Sequence, residues 1–352
     1  MSTLSSFGGG SGGNSQSDTI LHHEFIMNTG TWIPPYDGIA TIYVIGAGGS
    51  GCGGWDGSLY RPVSGGGAGG LGILRSIPVT TSDSYTITIG AGGAAVGASG
   101  GNSPAYVGGN SGGSTAFVGG AYNVVANGGN GGGAGILNYS NYYYLGALGG
   151  TASGGHENYQ GGNAGDTYRA GGGVSSYFPM CGASGGGAVS FGKKQANGQL
   201  IRFTTNNSST RTSGAGGSTG LTPEFKTSVS TPNYTIGYAS HPLSSSAIIS
   251  NYAQPITTYD HPHQNRVNTV SAIVGQGGRA SYSTTDTVYA QNGGLFAGGG
   301  GCLVTAGSKV AHGGSGGLGG GGGAALAPST YYGGISGSGG DGVVIVVYEE
   351  YA

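Results

Sequence analysis

Ile39-Ala40-Thr41-Ile42-Tyr43-Val44-Ile45 runs directly into Gly46-Ala47-Gly48-Gly49-Ser50-Gly51-Cys52. The first half is β-branched, aromatic and apolar on both faces, which reads as a buried strand. The second half has too little side chain to form a core of its own. The join between them poses the problem of the whole chain: 85 of its 352 residues are glycine, and the question is whether such tracts are linkers or structure.

A dinucleotide site is the first reading to test. Tyr43-Val44-Ile45-Gly46-Ala47-Gly48-Gly49-Ser50-Gly51 imitates a strand followed by G-x-G-x-x-G. That chemistry needs a helix N-terminus behind the glycines to hold a pyrophosphate. Here Cys52-Gly53-Gly54-Trp55-Asp56-Gly57 follows, which does not start a helix, and the next acid, Asp83, is too far on. The nucleotide reading is rejected.

Outward from the join, Ile73–Val79 and Tyr85–Ile89 read as further strands, the latter with Tyr85, Ile87 and Ile89 on one face. The chain closes on Val343-Val344-Ile345-Val346-Val347-Tyr348, another buried strand that can pair with the first. Glycine costs about 1 kcal/mol relative to alanine in a helix interior. No ten-residue stretch carries a clean amphipathic helical period, so helical bundles and doubly wound α/β folds are excluded. Collagen is excluded too, because no strict Gly-X-Y period persists and only 12 residues are Pro. A hydrophobic content of 36% with 23 Tyr argues against a disordered chain.

Glycine tracts have one ordered option. In the polyproline II conformation they rise about 3.1 Å per residue and have no internal hydrogen bonds. Without Cβ atoms, neighbouring tracts approach closely enough to bond to one another. The expected fold is mainly β with polyglycine II helices: a glycine-rich sandwich flanked by short strands, with essentially no α-helix. Four regions follow. Residues 1–20 are a Gly/Ser-rich attachment arm. Residues 21–136 are the first part of the framework. Residues 137–290 are a Tyr/Ser/Thr/Asn-rich insertion and candidate recognition tip. Residues 291–352 close the framework.

The formal net charge is −2, and charged residues make up 7% of the chain. Phosphate neutralisation needs clustered Lys and Arg, so nucleic acid is not expected as a partner. No polybasic segment suits an anionic membrane, and no run of 18 apolar residues suits a transmembrane helix. Met1 to Gln16 has no apolar signal-peptide core. Cys52, Cys181 and Cys302 are odd in number and widely spaced, and read as small buried residues, with one disulfide plus a free thiol as the alternative.

Candidate binding residues are the tyrosines of the insertion: Tyr142, Tyr143, Tyr144, Tyr159, Tyr234, Tyr238, Tyr252 and Tyr259. Tyrosine offers a large amphipathic surface at low entropic cost, which suits adaptable recognition loops. The alternative for each is ordinary strand packing. Asp260-His261-Pro262-His263 is the densest ligand-like cluster; His261 and His263 share a face in a strand and could hold a metal across a threefold axis. A polar loop is the alternative there. His22-His23 reads as a solvated segment and His156-Glu157 as an exposed turn. No catalytic constellation stands out, so no enzyme and no cofactor are expected.

Phe25, Gly30-Thr31-Trp32-Ile33-Pro34-Pro35-Tyr36-Asp37-Gly38, Ile42 to Gly49, Gly65 to Gly70, Tyr85 to Gly93 and Gly339 to Tyr348, in that order, resemble the glycine-rich domain of phage tail-fibre and receptor-binding proteins. The tracts are also similar to those of adhesins that cap T-even tail fibres. The resemblance implies a polyglycine II sandwich with variable loops that select a host receptor, whether glycan or outer-membrane protein. It also implies a location in the virion after synthesis in the host cytoplasm, contacts with other fibre or baseplate proteins, and a homotrimer by analogy with fibres. Some trimeric phage fibres carry His-x-His metal sites, so the resemblance also favours a metal at His261 and His263. The chain departs from the adhesins in its long 137–290 insertion. The rival readings are a purely structural fibre, spike or decoration subunit, a glycan depolymerase, and a cellular extracellular glycine-rich protein.

Overall fold

The computed structural model describes residues 20–55, 63–98, 105–134, 142–144, 146–164, 167–169, 201–204, 210–213, 225–226, 235–236, 281–283, 287–304, 309–327 and 333–350. Its described residues are mainly β, with no α-helix among them. The strand Gly38–Ile45 sits inside a five-stranded sheet between Val343–Glu350 and Leu71–Val79, with Ile20–Ile26 and Glu157–Tyr159 at the edges. The opening and closing strands pair antiparallel, Tyr43 opposite Ile345. A second five-stranded sheet holds Gly30–Trp32, Tyr85–Thr88, Thr115–Gly119, Tyr122–Ala126 and Ala152–Ser153.

The two sheets enclose an ordinary side-chain core. Trp32, Ile42, Leu74, Tyr85, Phe117 and Val344 are among its buried members, and Tyr85 stacks on Phe117 at 4.7 Å. Trp32 is tied to the edge strand by its Nε1, which donates to Glu24 Oε2 at 2.8 Å. The outer face of the first sheet is also covered. Leu295 and Phe296, at the turn of a later tract, pack on Tyr43, Leu71 and Ile345.

Beyond the sandwich the chain changes its means of cohesion. Tract 46–52 donates every one of its seven backbone N–H groups, and the acceptors rotate among three neighbours. Gly46, Gly49 and Cys52 donate to Gly70, Gly67 and Ser64; Ala47 and Ser50 donate to Gly113 and Asn110; Gly48 and Gly51 donate to Gly340 and Gly337. Its carbonyls accept from three further tracts: Ala47 and Ser50 from Gly129 and Gly132, Gly48 from Gly93, Gly49 and Cys52 from Gly322 and Ala325. The six neighbours are themselves bonded in a closed ring. Gly339 donates to Gly93, Gly113 to Ala91, Gly112 to Gly129, Gly67 to Asn130, Gly66 to Gly322 and Gly337 to Gly323. Tract 46–52 is thus the centre of a hexagon of backbone strings.

Close approach explains the residue type. A Cβ at Gly48 would fall on the Gly320 carbonyl, and one at Gly49 on that of Asn130. Where a backbone acceptor is out of reach, a buried hydroxyl takes its place. Ser50 Oγ accepts from Asn110 N at 2.8 Å, Ser64 Oγ from Gly133 N at 2.9 Å, and Ser336 Oγ from Val96 N at 3.0 Å. These hydroxyls satisfy groups that would otherwise be buried and unpaired. Cys52 and Cys302 are buried free thiols, as the sequence suggests; Cys181 lies outside the described residues.

The closing part has an internal repeat. Strands Val288–Tyr289, Ala311–His312 and Gly334–Ile335 stack parallel at a spacing of 23 residues, as do Cys302–Val304 and Ala325–Ala327. Each complete rung runs strand, tract, turn, tract, strand. The turn needs a positive φ, supplied by Gly319 (67°) in one rung and by Phe296 (64°) at the equivalent place in the other. Residues 146–164, which the sequence reading groups with the insertion, belong to the framework. They supply the edge strands Ala152–Ser153 and Glu157–Tyr159 and two lattice tracts.

Candidate recognition end

The molecule has two unlike ends. Ile20 and Glu350 are partners at the end of the first sheet farthest from the tracts, so residues 1–19 and 351–352 join the framework there. The connections 33–37, 80–84 and 120–121 turn back at the same end and are short. Every tract leads away from it. At the far end, Gly53–Trp55, Ala105–Val107, Ser281–Ser283, Cys302–Val304 and Ala325–Ala327 form a five-stranded sheet. The described residues that flank 56–62, 99–104, 135–141, 165–286, 305–308 and 328–332 lie on that side. All the long connections therefore leave from one pole. Loops carried by a rigid scaffold are the usual seat of recognition.

Of the candidate tyrosines, Tyr142, Tyr143 and Tyr144 form a strand antiparallel to Thr167–Arg169. Tyr159 is elsewhere. It sits in a framework edge strand paired with Leu71. Its hydroxyl donates to Glu157 Oε2 at 2.6 Å. Tyr234, Tyr238, Tyr252, Tyr259, His261 and His263 lie outside the described residues. The His22 ring stacks on Tyr348 at 4.8 Å and on Tyr36 at 5.7 Å, at the sandwich end.

Several titratable groups among the described residues are structurally engaged. Glu157 is held by the Arg75 guanidinium and by Tyr159, which bring its carboxyl down to about 2. It is ionised at any physiological pH and cannot serve as a proton donor. Burial pushes the Cys52 thiol up to about 12, so it stays protonated and unreactive. Burial lowers the pKa of His312, and burial with the neighbouring His22 lowers that of His23. No group of three or more His, Cys, Asp or Glu side chains suited to a metal occurs among the described residues. The glycines of the G-x-G-x-x-G imitation lead into strand Gly53–Trp55, with each N–H already given to a neighbouring tract. None is left to hold a phosphate.

Sequence reasoning missed the row Tyr289, His312, Ile335. These three are register partners across the three-stranded parallel sheet, and Tyr289 stacks on His312 at 4.3 Å. The signal was the 23-residue recurrence of Gly293-Gly294-Leu295 as Gly316-Gly317-Leu318.

The fold defines a β-sandwich continued by a hydrogen-bonded glycine lattice. The glycine-rich domain family matches residues 25–240, and the chain belongs to that family. The match stops short of tracts 290–301, 313–324 and 336–342, which are bonded into the same lattice. No curated protein matches the chain.

Proposed function

We propose that this protein is a virion adhesin, a phage tail-fibre or receptor-binding protein that recognises a host cell-surface receptor through segments displayed on a glycine scaffold. The polarity of the framework carries the reading: the termini join one pole and all the long connections leave the other. The first pole attaches to a fibre or baseplate protein and the second meets the receptor. The three-residue rotation of donors in tract 46–52 supports tracts in the polyglycine II conformation, whose repeat is three residues. A lattice cemented by main-chain bonds tolerates change in its end connections, because their sequence is not needed for cohesion. Several copies on one particle multiply modest single-site affinities.

The test is binding of labelled full-length protein to a panel of bacterial strains. Saturable binding to a subset of strains, lost when residues 171–280 are replaced by a short Gly/Ser linker, is expected. Binding to no strain, or binding indifferent to that replacement, contradicts the reading.

A further inference from the structure

Two lattice asparagines stand directly before glycine, Asn127-Gly128 and Asn130-Gly131. Both are exposed, while their backbone is bonded into the lattice. The Asn127 carbonyl accepts from Gly70 N at 2.9 Å, and the Asn130 carbonyl from Gly67 N at 2.9 Å. The two sites differ in the nitrogen that follows the asparagine and in what holds its side chain. Gly131 N donates to Ser111 Oγ at 3.2 Å, whereas Gly128 N donates to no acceptor among the described residues. Ser114 Oγ donates to Asn127 Oδ1 at 3.2 Å, and Asn127 Nδ2 donates to Thr151 Oγ1 at 3.1 Å. The Asn130 side chain has no counterpart to these bonds among the described residues.

We propose that Asn127-Gly128 is a self-modification site gated by the lattice. In an Asn–Gly pair the glycine nitrogen can attack the asparagine Cγ, because no Cβ on the glycine obstructs the approach. Hydroxide removes the Gly128 N–H proton, the N–Cγ bond forms, the Cγ–Nδ2 bond breaks, and ammonia leaves with a proton from water. Water then opens the cyclic imide at either carbonyl, giving an aspartyl or an isoaspartyl residue. Ser114 donates to the oxygen on which negative charge develops during the attack, and the unbonded Gly128 N–H is open to base. Ring closure turns the peptide plane between Asn127 and Gly128 about the Asn127 Cα–C bond, by roughly a right angle from an extended conformation. That turn breaks the bond from Gly70 N, so the site reacts only when its tract parts from tract 64–70. The isoaspartyl product lengthens the main chain, because the chain then runs through the former side chain. Gly129 and Gly132, which donate to Ala47 and Ser50, then lose their three-residue register. An opening that is otherwise reversible becomes permanent. The inference concerns the framework alone and does not depend on the adhesin reading.

The experiment incubates full-length protein at mildly alkaline pH beside a synthetic peptide spanning residues 120–134. Peptide-mapping mass spectrometry follows the conversion of each asparagine. Asn127 in the protein should convert tenfold or more slowly than in the peptide, and faster than Asn130 in the same protein. Ser114→Ala should slow Asn127 severalfold and leave Asn130 unchanged. Ser111→Ala, which frees Gly131 N–H, should speed Asn130 and leave Asn127 unchanged. Both serines are exposed, so the melting temperatures of these variants should match the parent and separate altered chemistry from altered fold. In the isoaspartyl fraction the amides of Gly129 and Gly132 should lose their protection from hydrogen exchange. Conversion of Asn127 at the peptide's rate overturns the gate, and no conversion after a hundredfold longer incubation overturns the site. Asn130 converting first, undiminished conversion of Asn127 in Ser114→Ala, or protection of Gly129 and Gly132 retained in the isoaspartyl fraction each contradicts the proposal as well.

Discussion

A methyl group is enough to show where this protein is held together by backbone. At Gly49 an added Cβ would meet the Asn130 carbonyl, and neither atom belongs to a flexible side chain. Gly49→Ala should therefore cost about 3 kcal/mol or more, beyond the usual overpacking penalty. Gly30→Ala, where nothing lies within 4 Å, should stay within about 0.5 kcal/mol. Urea unfolding of the two variants checks the pair. Ser50→Ala removes the acceptor of the Asn110 N–H in a fully buried setting. A loss of about 1–3 kcal/mol is expected from that unpaired donor. Ser76 has a positive φ of 49° beside a register shift between Gly38–Ile45 and Leu71–Val79. Ser76→Gly relieves the left-handed backbone and should stabilise by about 1 kcal/mol or less.

At the scale of elements, the edge strand Glu157–Tyr159 is clamped to Leu71–Val79 by the Arg75–Glu157 ion pair and by Arg75 N, which donates to His156 Nδ1 at 3.1 Å. The folded state holds Glu157 below its ordinary value of 4.5, at about 2. Its contribution is present above 4.5 and is lost as pH falls from there toward 2. Protection of amides 157–159, measured against the intrinsic exchange rate at each pH, should fall below pH 4, and in Glu157→Gln at any pH. The conventional strands were legible in sequence. Ile39–Ile45 and Val343–Tyr348 are runs of β-branched residues whose matching apolarity pointed to pairing, while the antiparallel sense came only with the structure. The tract neighbours were not legible, because a glycine carries no side chain to encode its partner. The framework hairpin 146–164 was hidden by composition: its Tyr, Asn and Ser look like the insertion that flanks it. The row of Tyr289, His312 and Ile335 was hidden by spacing, since its members meet only once the 23-residue rung is recognised.

The whole molecule couples a side-chain core to a backbone lattice, and acid acts on both parts. His23, in a sandwich edge strand, and His312, on the lattice flank, have folded pKa values lowered by burial from 6.5. Their contribution is present above 6.5 and is lost as pH falls below it, so the melting temperature should drop between pH 7 and pH 5. His312→Gln should reduce that drop. The two-pole arrangement depends on tracts rigid enough to keep the two ends apart. Amide hydrogen exchange of residues 46–52 reads that rigidity directly, because all seven N–H groups are bonded to neighbouring tracts. Protection as high as that of Ile42 and Val344 in the sandwich is predicted. Exchange within minutes at neutral pH, as for surface loops, would contradict the lattice and the division of labour built on it.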